Sequence, residues 1–433
     1  MGKKQPFVYS GMTLPFVLLV TCFAAWGVAA NMTDPLVKVF SKIFSMSTLQ
    51  ASLVQFSYYG AYFLLALPAA FINRRFSYKT GTLVGLGCAI AGAMLFYPAS
   101  QSMTYGFFLI ALFTLAGGLS ILETSANPFV IAMGPEANAT RRLNFAQAFN
   151  PVGTNIGVLL SAALILPYLD TATVEERAAM SEADLIAVQT NELQAVMVPY
   201  VGFAFVLLAI WVAIALKHMP NLREASAKDT GDVDFGPTLR RLVANPHYRF
   251  GVIAQFFNVA AQTCTWTFTI QYVQEAIGGD EAAAGWYLQA SLIVFLISRF
   301  VMVWLMGYVR PAMLLVAMAV LGVVLCLYAV AVPTLSGVIA VVAISASLSL
   351  MFPTIYGIAL HGLGEDTKFG AAGLVMAILG GALMPLVQGA MIDAYGAAFS
   401  YVVPAACFVV VAGYGLFDLM AKSRFSASAA AAE

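Results

Sequence analysis

TYGFFLIALFTLAGGLSILETSANPFVIAM, residues 104–133, holds a single charged side chain, Glu123, among 30 residues. An α-helix rises about 1.5 Å per residue, so this stretch is long enough to cross a hydrocarbon core of about 30 Å. Similar apolar runs recur on both sides of it. Spans are read near 13–38, 48–72, 79–98, 104–133, 142–168, 196–217, 248–274, 284–306, 311–332, 335–360, 370–393 and 400–420. The composition agrees: 61% of residues are hydrophobic and 10% charged, against about 25% charged in a soluble domain. The 35 Gly and 31 Phe suit helices that pack closely in lipid. The first run follows Lys3 and Lys4, as in a signal peptide, but it is longer than such a segment and continues into Asn31 and Asp34, so it is read as the first span. The fold class read from these runs is an all-α membrane protein of twelve transmembrane helices.

Basic residues orient the spans. With the N-terminus inside, 17 of the 21 Lys and Arg fall in cytoplasmic segments, among them Arg74, Arg75, Arg141, Arg142, Arg240, Arg241 and Lys368. Only Lys38, Lys42 and Arg177 fall outside, and Arg299 lies within a span. Positive charge is retained on the cytoplasmic side, so both termini are expected there. The acidic segment 169–195 then lies outside, and the mixed segment 218–247 inside. Six spans precede the second segment and six follow it. The expected organisation is an N-terminal six-helix half, 1–217, that carries the coupling acids, a cytoplasmic linker, 218–247, and a C-terminal six-helix half, 248–433. Weak internal similarity points to duplication. Asn127-Pro128-Phe129 precedes Gly134-Pro135-Glu136 and Arg141, as Phe352-Pro353-Thr354 precedes Gly364-Glu365-Asp366 and Lys368. Two related halves with a site between them suit a transporter.

Several functions lack material. The five cysteines (Cys22, Cys88, Cys264, Cys326, Cys407) lie singly in apolar runs, and His218, His247 and His361 fall in loops or at helix ends. Neither pattern makes a metal site or a nucleophile–base pair. No phosphate-binding glycine motif is present, and zero net charge gives nucleic acid no basic face. No enzymatic activity and no metal are expected.

The chemistry is expected at polar residues inside spans. Asp34 lies deep in the first span or near its outer end, and Glu123 well inside the fourth. A carboxylate in hydrocarbon costs several kcal/mol (about 2.5 or more) and marks a pathway, because desolvation disfavours its charged form. A permanently protonated, structural acid is the alternative at both positions, and an interfacial one at Asp34. Gly27, Asn31 and Asp34 share a helix face beside Trp26, and Glu123 and Asn127 are one turn apart. In the fifth span Asn144, Gln147, Asn150 and Thr154 form a stripe, and in the seventh Gln255, Asn258, Gln262, Thr265 and Thr269 form another beside Trp266. Amides donate and accept, as sugar hydroxyls require; each amide could instead join helices. Arg299 could bind substrate, pair with a carboxylate or snorkel to the cytoplasm. The tyrosines Tyr58, Tyr59 and Tyr62 line a cavity or pack.

ETSANPF (123–129), GPE (134–136) and RLNFAQAFN (142–150) resemble the fucose–proton symporter family of the major facilitator superfamily. ALPAAFINRRFSYKTG (66–81), AQTCTW (261–266), SRF (298–300), FPTI (352–355), LGEDTKFG (363–370) and AILGGALMPLVQG (377–389) are similar too, so the resemblance covers nearly the whole chain. It implies a twelve-helix facilitator fold and uptake of a monosaccharide, L-fucose first, with a proton. Glucose, galactose or another hexose is the alternative sugar, sodium the alternative cation, and an exporter of drugs or metabolites on the same fold the more distant alternative. The family's membrane acids map onto Asp34 and Glu123 as proton-coupling groups. Its polar cavity residues map onto Asn31, Gln147 and Asn150, and less securely onto Trp26, Gln262, Trp266 and Arg299; Asn127, one turn from Glu123, joins them as a substrate-binding expectation. Pro151 and Thr154 depart from the family's pattern, which puts the sugar in doubt. No bound cofactor is expected. The expected setting is a monomer, surrounded by lipid, in a bacterial inner membrane.

Overall fold

The computed structural model describes residues 5–33, 48–170, 172, 174–219 and 235–430. Within them the chain is helical, with no strand. The helices are α1 (Thr13–Thr33), α2 (Thr48–Arg75), α3 (Tyr78–Ser102), α4 (Tyr105–Ala132), α5 (Ala139–Gln147), α6 (Phe149–Leu164), α7 (Val174–Ala178), α8 (Glu182–Leu216) and α9 (Phe235–Ala244). They continue as α10 (Pro246–Ile277), α11 (Glu281–Leu305), α12 (Pro311–Ala331), α13 (Leu335–Leu348), α14 (Met351–Ala359), α15 (Thr367–Met376), α16 (Gly380–Tyr395), α17 (Ala397–Ser400) and α18 (Val402–Ala430). Among the described residues, nine helical segments are long and apolar enough to cross a membrane. The other three expected spans fall on α2, on α5 with α6, and on α10.

The boundaries depart from the sequence reading where backbone satisfaction decides them. The acidic segment 169–195 is not open along its length: α8 begins at Glu182, capped by Ser181, and runs 35 residues. The stretch 218–247 contains the ten-residue helix α9. The fifth, tenth and eleventh spans are interrupted helices. They break at Ala148, at Ser349–Leu350 and at 377–379. Proline explains two of these breaks. It has no N–H, so the carbonyl four residues earlier loses its helical donor. Pro151 frees the carbonyl of Gln147, and Pro353 that of Ser349. Inside a membrane such a carbonyl needs another donor.

The chain forms two compact units that do not follow chain order. One comprises Val8–Phe129 and Phe149–Ala225; the other Met1–Phe7, Val130–Ala148 and Ser226–Glu433.

In the first unit α1 lies against α6, and α3 against α8. Gly27 and Gly153 set the first contact. A Cβ on Gly27 would strike the main-chain oxygen of Asn150, and one on Gly153 that of Ala24. Close backbone approach through small residues is how helices associate where lipid offers no hydrophobic gain. Between α3 and α8, Phe96 and Tyr200 stack with centroids 4.1 Å apart, and the Trp211 indole donates to the Leu83 carbonyl at 2.9 Å. Pro128 frees the Thr124 carbonyl inside α4; Asn73 of α2 reaches it at 3.4 Å. Outside the spans, Arg177 and Glu192 form a buried ion pair, and hydrogen bonding to Glu192 holds the Arg177 guanidinium above its ordinary pKa.

In the second unit α10 is central, touching α11, α13, α14, α16 and α18. Tyr272 donates to the Ala329 carbonyl at 2.6 Å, and Tyr401 to that of Thr265 at 3.1 Å. Helix α5 packs on α14, where Asn144 and Thr354 bond side chain to side chain at 3.2 Å. Arg142, counted above among the basic residues of cytoplasmic segments, is fully buried. Its guanidinium donates to carbonyls of Phe7, Val130, Ile131, Gly134 and Pro135, and so caps the C-terminal end of α4.

Candidate functional site

In the first unit Glu123 sits well inside α4 at 2% exposure. Neither carboxyl oxygen closes a hydrogen bond among the described residues. Asn127, one turn on, faces it from the same helix. From α2, Tyr62 lies within electrostatic reach, its ring 5.2 Å from that of Tyr58. From α1, the Trp26 indole lies beside the Tyr62 hydroxyl. Trp26 Nε1 and Tyr62 Oη are buried, and neither closes a hydrogen bond among the described residues. A second polar group forms along α1 and α6. Asn31 Nδ2 donates to Thr154 Oγ1 at 3.0 Å and to the Gly27 carbonyl at 3.2 Å. Asn150 reaches the Phe23 carbonyl at 3.4 Å. Asp34, the other expected coupling acid, lies outside the described residues.

In the second unit Gln147 ends α5, and its main-chain carbonyl accepts a hydrogen bond from Arg299 at 3.1 Å. Arg299 is 3% exposed, so it does not snorkel. Its guanidinium carbon stands 4.7 Å from the Phe295 ring centroid, within cation–π range. Phe295 also meets Trp266, edge-on at 5.0 Å and 87°. The Trp266 indole donates to Ser345 Oγ at 3.1 Å, so its N–H is engaged by the protein. Gln262 is half-buried on α10.

The profile of the Major Facilitator Superfamily matches residues 17–250. The chain is 40% identical over 413 residues to an L-fucose-proton symporter of Haemophilus influenzae, covering 93% of this chain and 96% of that one. This chain belongs to the fucose–proton symporter family of the major facilitator superfamily. It is 36% identical to the L-fucose-proton symporter of Escherichia coli K12, over 95% of this chain and 93% of the relative. A glucose/galactose transporter of Brucella abortus is 32% identical, over 96% and 94%. A crystal structure of the facilitator FucP in the outward conformation superposes with a TM-score of 0.87 at 36% identity, covering 94% of this chain and 98% of that one.

Within this family's fold, the expected site residues separate into two sets, one in each unit. Trp26, Asn31, Glu123, Asn127 and Asn150 lie in the first unit, and Gln147, Gln262, Trp266 and Arg299 in the second. The sequence reading did not select Phe295, which carries both Arg299 and Trp266, although its place one helical turn before Arg299 was a usable signal. Nor did it assign Tyr62 a partner. An aromatic residue in an apolar run reads as packing until its hydroxyl is located.

Proposed function

We propose that this chain imports a monosaccharide, L-fucose first, together with a proton, by alternating access. The observation that carries the reading is Glu123, a carboxyl buried in a membrane helix with no hydrogen bond to either oxygen among the described residues. A carboxyl in that setting is stable neutral and costly when charged. Proton uptake removes the charge that would oppose closure around it, and release restores the charge where water is admitted. Asp34 serves as a second coupling acid. Asn31, Gln147 and Asn150 supply amides to sugar hydroxyls, with Asn127 and Gln262 beside them. Trp26 and Trp266 offer ring faces, and Arg299 orders the Gln147 end of the site.

The choice of L-fucose follows the names of the relatives at 40% and 36% identity. Glucose or galactose is the second reading, after the relative at 32%. The proton is the proposed cation, sodium the alternative, with no bound cofactor. The protein works as a monomer in the bacterial inner membrane with both termini cytoplasmic, and 218–247 links the halves 1–217 and 248–433.

The test is uptake of labelled L-fucose into proteoliposomes, with and without an inward proton gradient, against unlabelled glucose, galactose and mannose. Gradient-stimulated uptake that no competitor reduces supports the reading. Uptake of another hexose in place of fucose moves the chain to the glucose/galactose branch. Transport of no sugar overturns it.

A further inference from the structure

Three polar side chains, Trp26, Tyr62 and Glu123, come from three helices of one unit to the same neighbourhood. Tyr62 is 1% exposed and Glu123 2%. Tyr62 Oη, Trp26 Nε1 and both Glu123 oxygens lack a hydrogen bond among the described residues. The helices are held in register at this level. Ser120, one turn before Glu123 on α4, donates to the Tyr62 carbonyl at 2.9 Å. A phenylalanine at 62 would fill the same volume without burying a hydroxyl, so packing alone does not account for a tyrosine. An indole N–H and a phenol O–H can both donate to an oxygen, and a carboxylate accepts at both of its oxygens.

We propose that Tyr62 is a positioning residue for the coupling proton: its hydroxyl donates to the Glu123 carboxylate once the proton has left, with the Trp26 N–H donating in turn to the Tyr62 oxygen. On release the Glu123 O–H bond breaks, the electron pair stays on the carboxylate, and the proton passes to water. Tyr62 keeps its own proton and moves its hydroxyl into bonding distance of the oxygen. A hydrogen bond to an ionised acceptor is about twice as strong as a neutral one, so the pair favours the discharged state that the empty carrier needs to return. The surrounding helices offer little competition. Tyr58 is the other titratable group beside Tyr62, and Asn127 on α4 is neutral. Helix α3 meets α4 through Gly85, Ala89 and Gly92, which carry no charge. Asp34 lies outside the described residues. The proposal rests on the reading of Glu123 as the coupling acid.

The experiment compares the parent, Tyr62→Phe, Glu123→Gln and the double variant by infrared titration of the purified protein and by sugar counterflow at varied pH. The carboxyl C=O stretching band that Glu123→Gln abolishes should titrate about one pH unit higher in Tyr62→Phe, a tenfold change in proton affinity. The pH at which counterflow is half-maximal should move the same way, with the sugar KM unchanged. In the Glu123→Gln background, Tyr62→Phe should shift nothing further. Superimposable titrations of the parent and Tyr62→Phe overturn the proposal, as does a shift that persists without Glu123. The infrared arm needs no sugar, so it stands even if L-fucose fails as the substrate; a band absent from the parent would instead sink the reading of Glu123. Should Tyr62→Phe fail to fold, Trp26→Phe must move the same band in the same direction, and its failure to do so overturns the proposal.

Discussion

Arg299 on α11 donates to the main-chain carbonyl of Gln147 at 3.1 Å, and Pro151, four residues on, has no N–H to offer that carbonyl. One imino acid therefore breaks a helix, exposes an acceptor, and gives a buried cation its partner. The break lies between Gln147 and Asn150, two residues expected to hold the sugar.

Arg299→Lys should not restore what Arg299→Ala removes. The guanidinium reaches the carbonyl while lying over Phe295, which a compact ammonium on a flexible stem does not reproduce. A hydrogen bond from a charged donor is worth about 1.5–3 kcal/mol, so both variants should lose roughly tenfold or more in initial uptake rate, read in proteoliposomes at matched protein density. Full activity in the lysine variant would show that charge alone matters.

Pro151→Ala should act through the same carbonyl. It returns an N–H to the helix, and the Gln147 oxygen then accepts from residue 151 in place of Arg299. Uptake should fall severalfold while the melting temperature holds or rises, because the proline interruption of about 3 kcal/mol is removed. A variant that is less stable and fully active would contradict this account.

Glu123→Gln keeps the shape of a protonated acid and cannot release a proton. Gradient-driven accumulation of sugar should be abolished and exchange across the membrane retained. Accumulation against a concentration gradient by this variant would remove Glu123 from the coupling role.

Gly153→Ala should be poorly tolerated, since its Cβ would meet the main-chain oxygen of Ala24 and backbone cannot move aside cheaply. Gly202→Ala, on α8 with no atom within 4 Å of the added carbon, is the control. Folded yield and melting temperature should drop in the first and hold or rise slightly in the second, because alanine is the better helix former by about 1 kcal/mol. Equal behaviour of the two would show that α1 and α6 are not locked by this contact.

Thr354→Val leaves the Asn144 amide, among the described residues, with the Thr140 carbonyl as its partner. Loss of one buried hydrogen bond should lower unfolding stability by about 1–3 kcal/mol, measured as thermal unfolding in detergent. A double-mutant cycle with Asn144→Ala should recover most of that as coupling energy.

The spans were legible because twenty apolar residues with few charges have little alternative to a membrane helix, and Glu123 stood out because a lone acid in such a run is costly wherever it points. Glu123, Asn127 and the amide stripe of 144–154 could be listed from periodicity alone. Periodicity could not show that α8 extends back to Glu182, or that three spans are broken. A break depends on whether the carbonyls it frees find donors on other helices. Arg142 shows the limit well: as one of two adjacent arginines it reads as surface charge, and five carbonyls from two chain segments bury it.

By itself, then, the sequence determined an all-helical membrane chain and which side chains are too polar for their surroundings, since both follow from hydrophobicity and spacing along one helix, while its motifs, ETSANPF above all, carried the resemblance that pointed to its family. Tertiary structure alone decided the partners: Arg299 with the carbonyl that Pro151 frees, Trp266 with Ser345, Asn31 with Thr154, and Trp26 beside Tyr62. A hydrogen bond is satisfied by direction and distance, and between helices far apart in the chain both are set only when the helices pack.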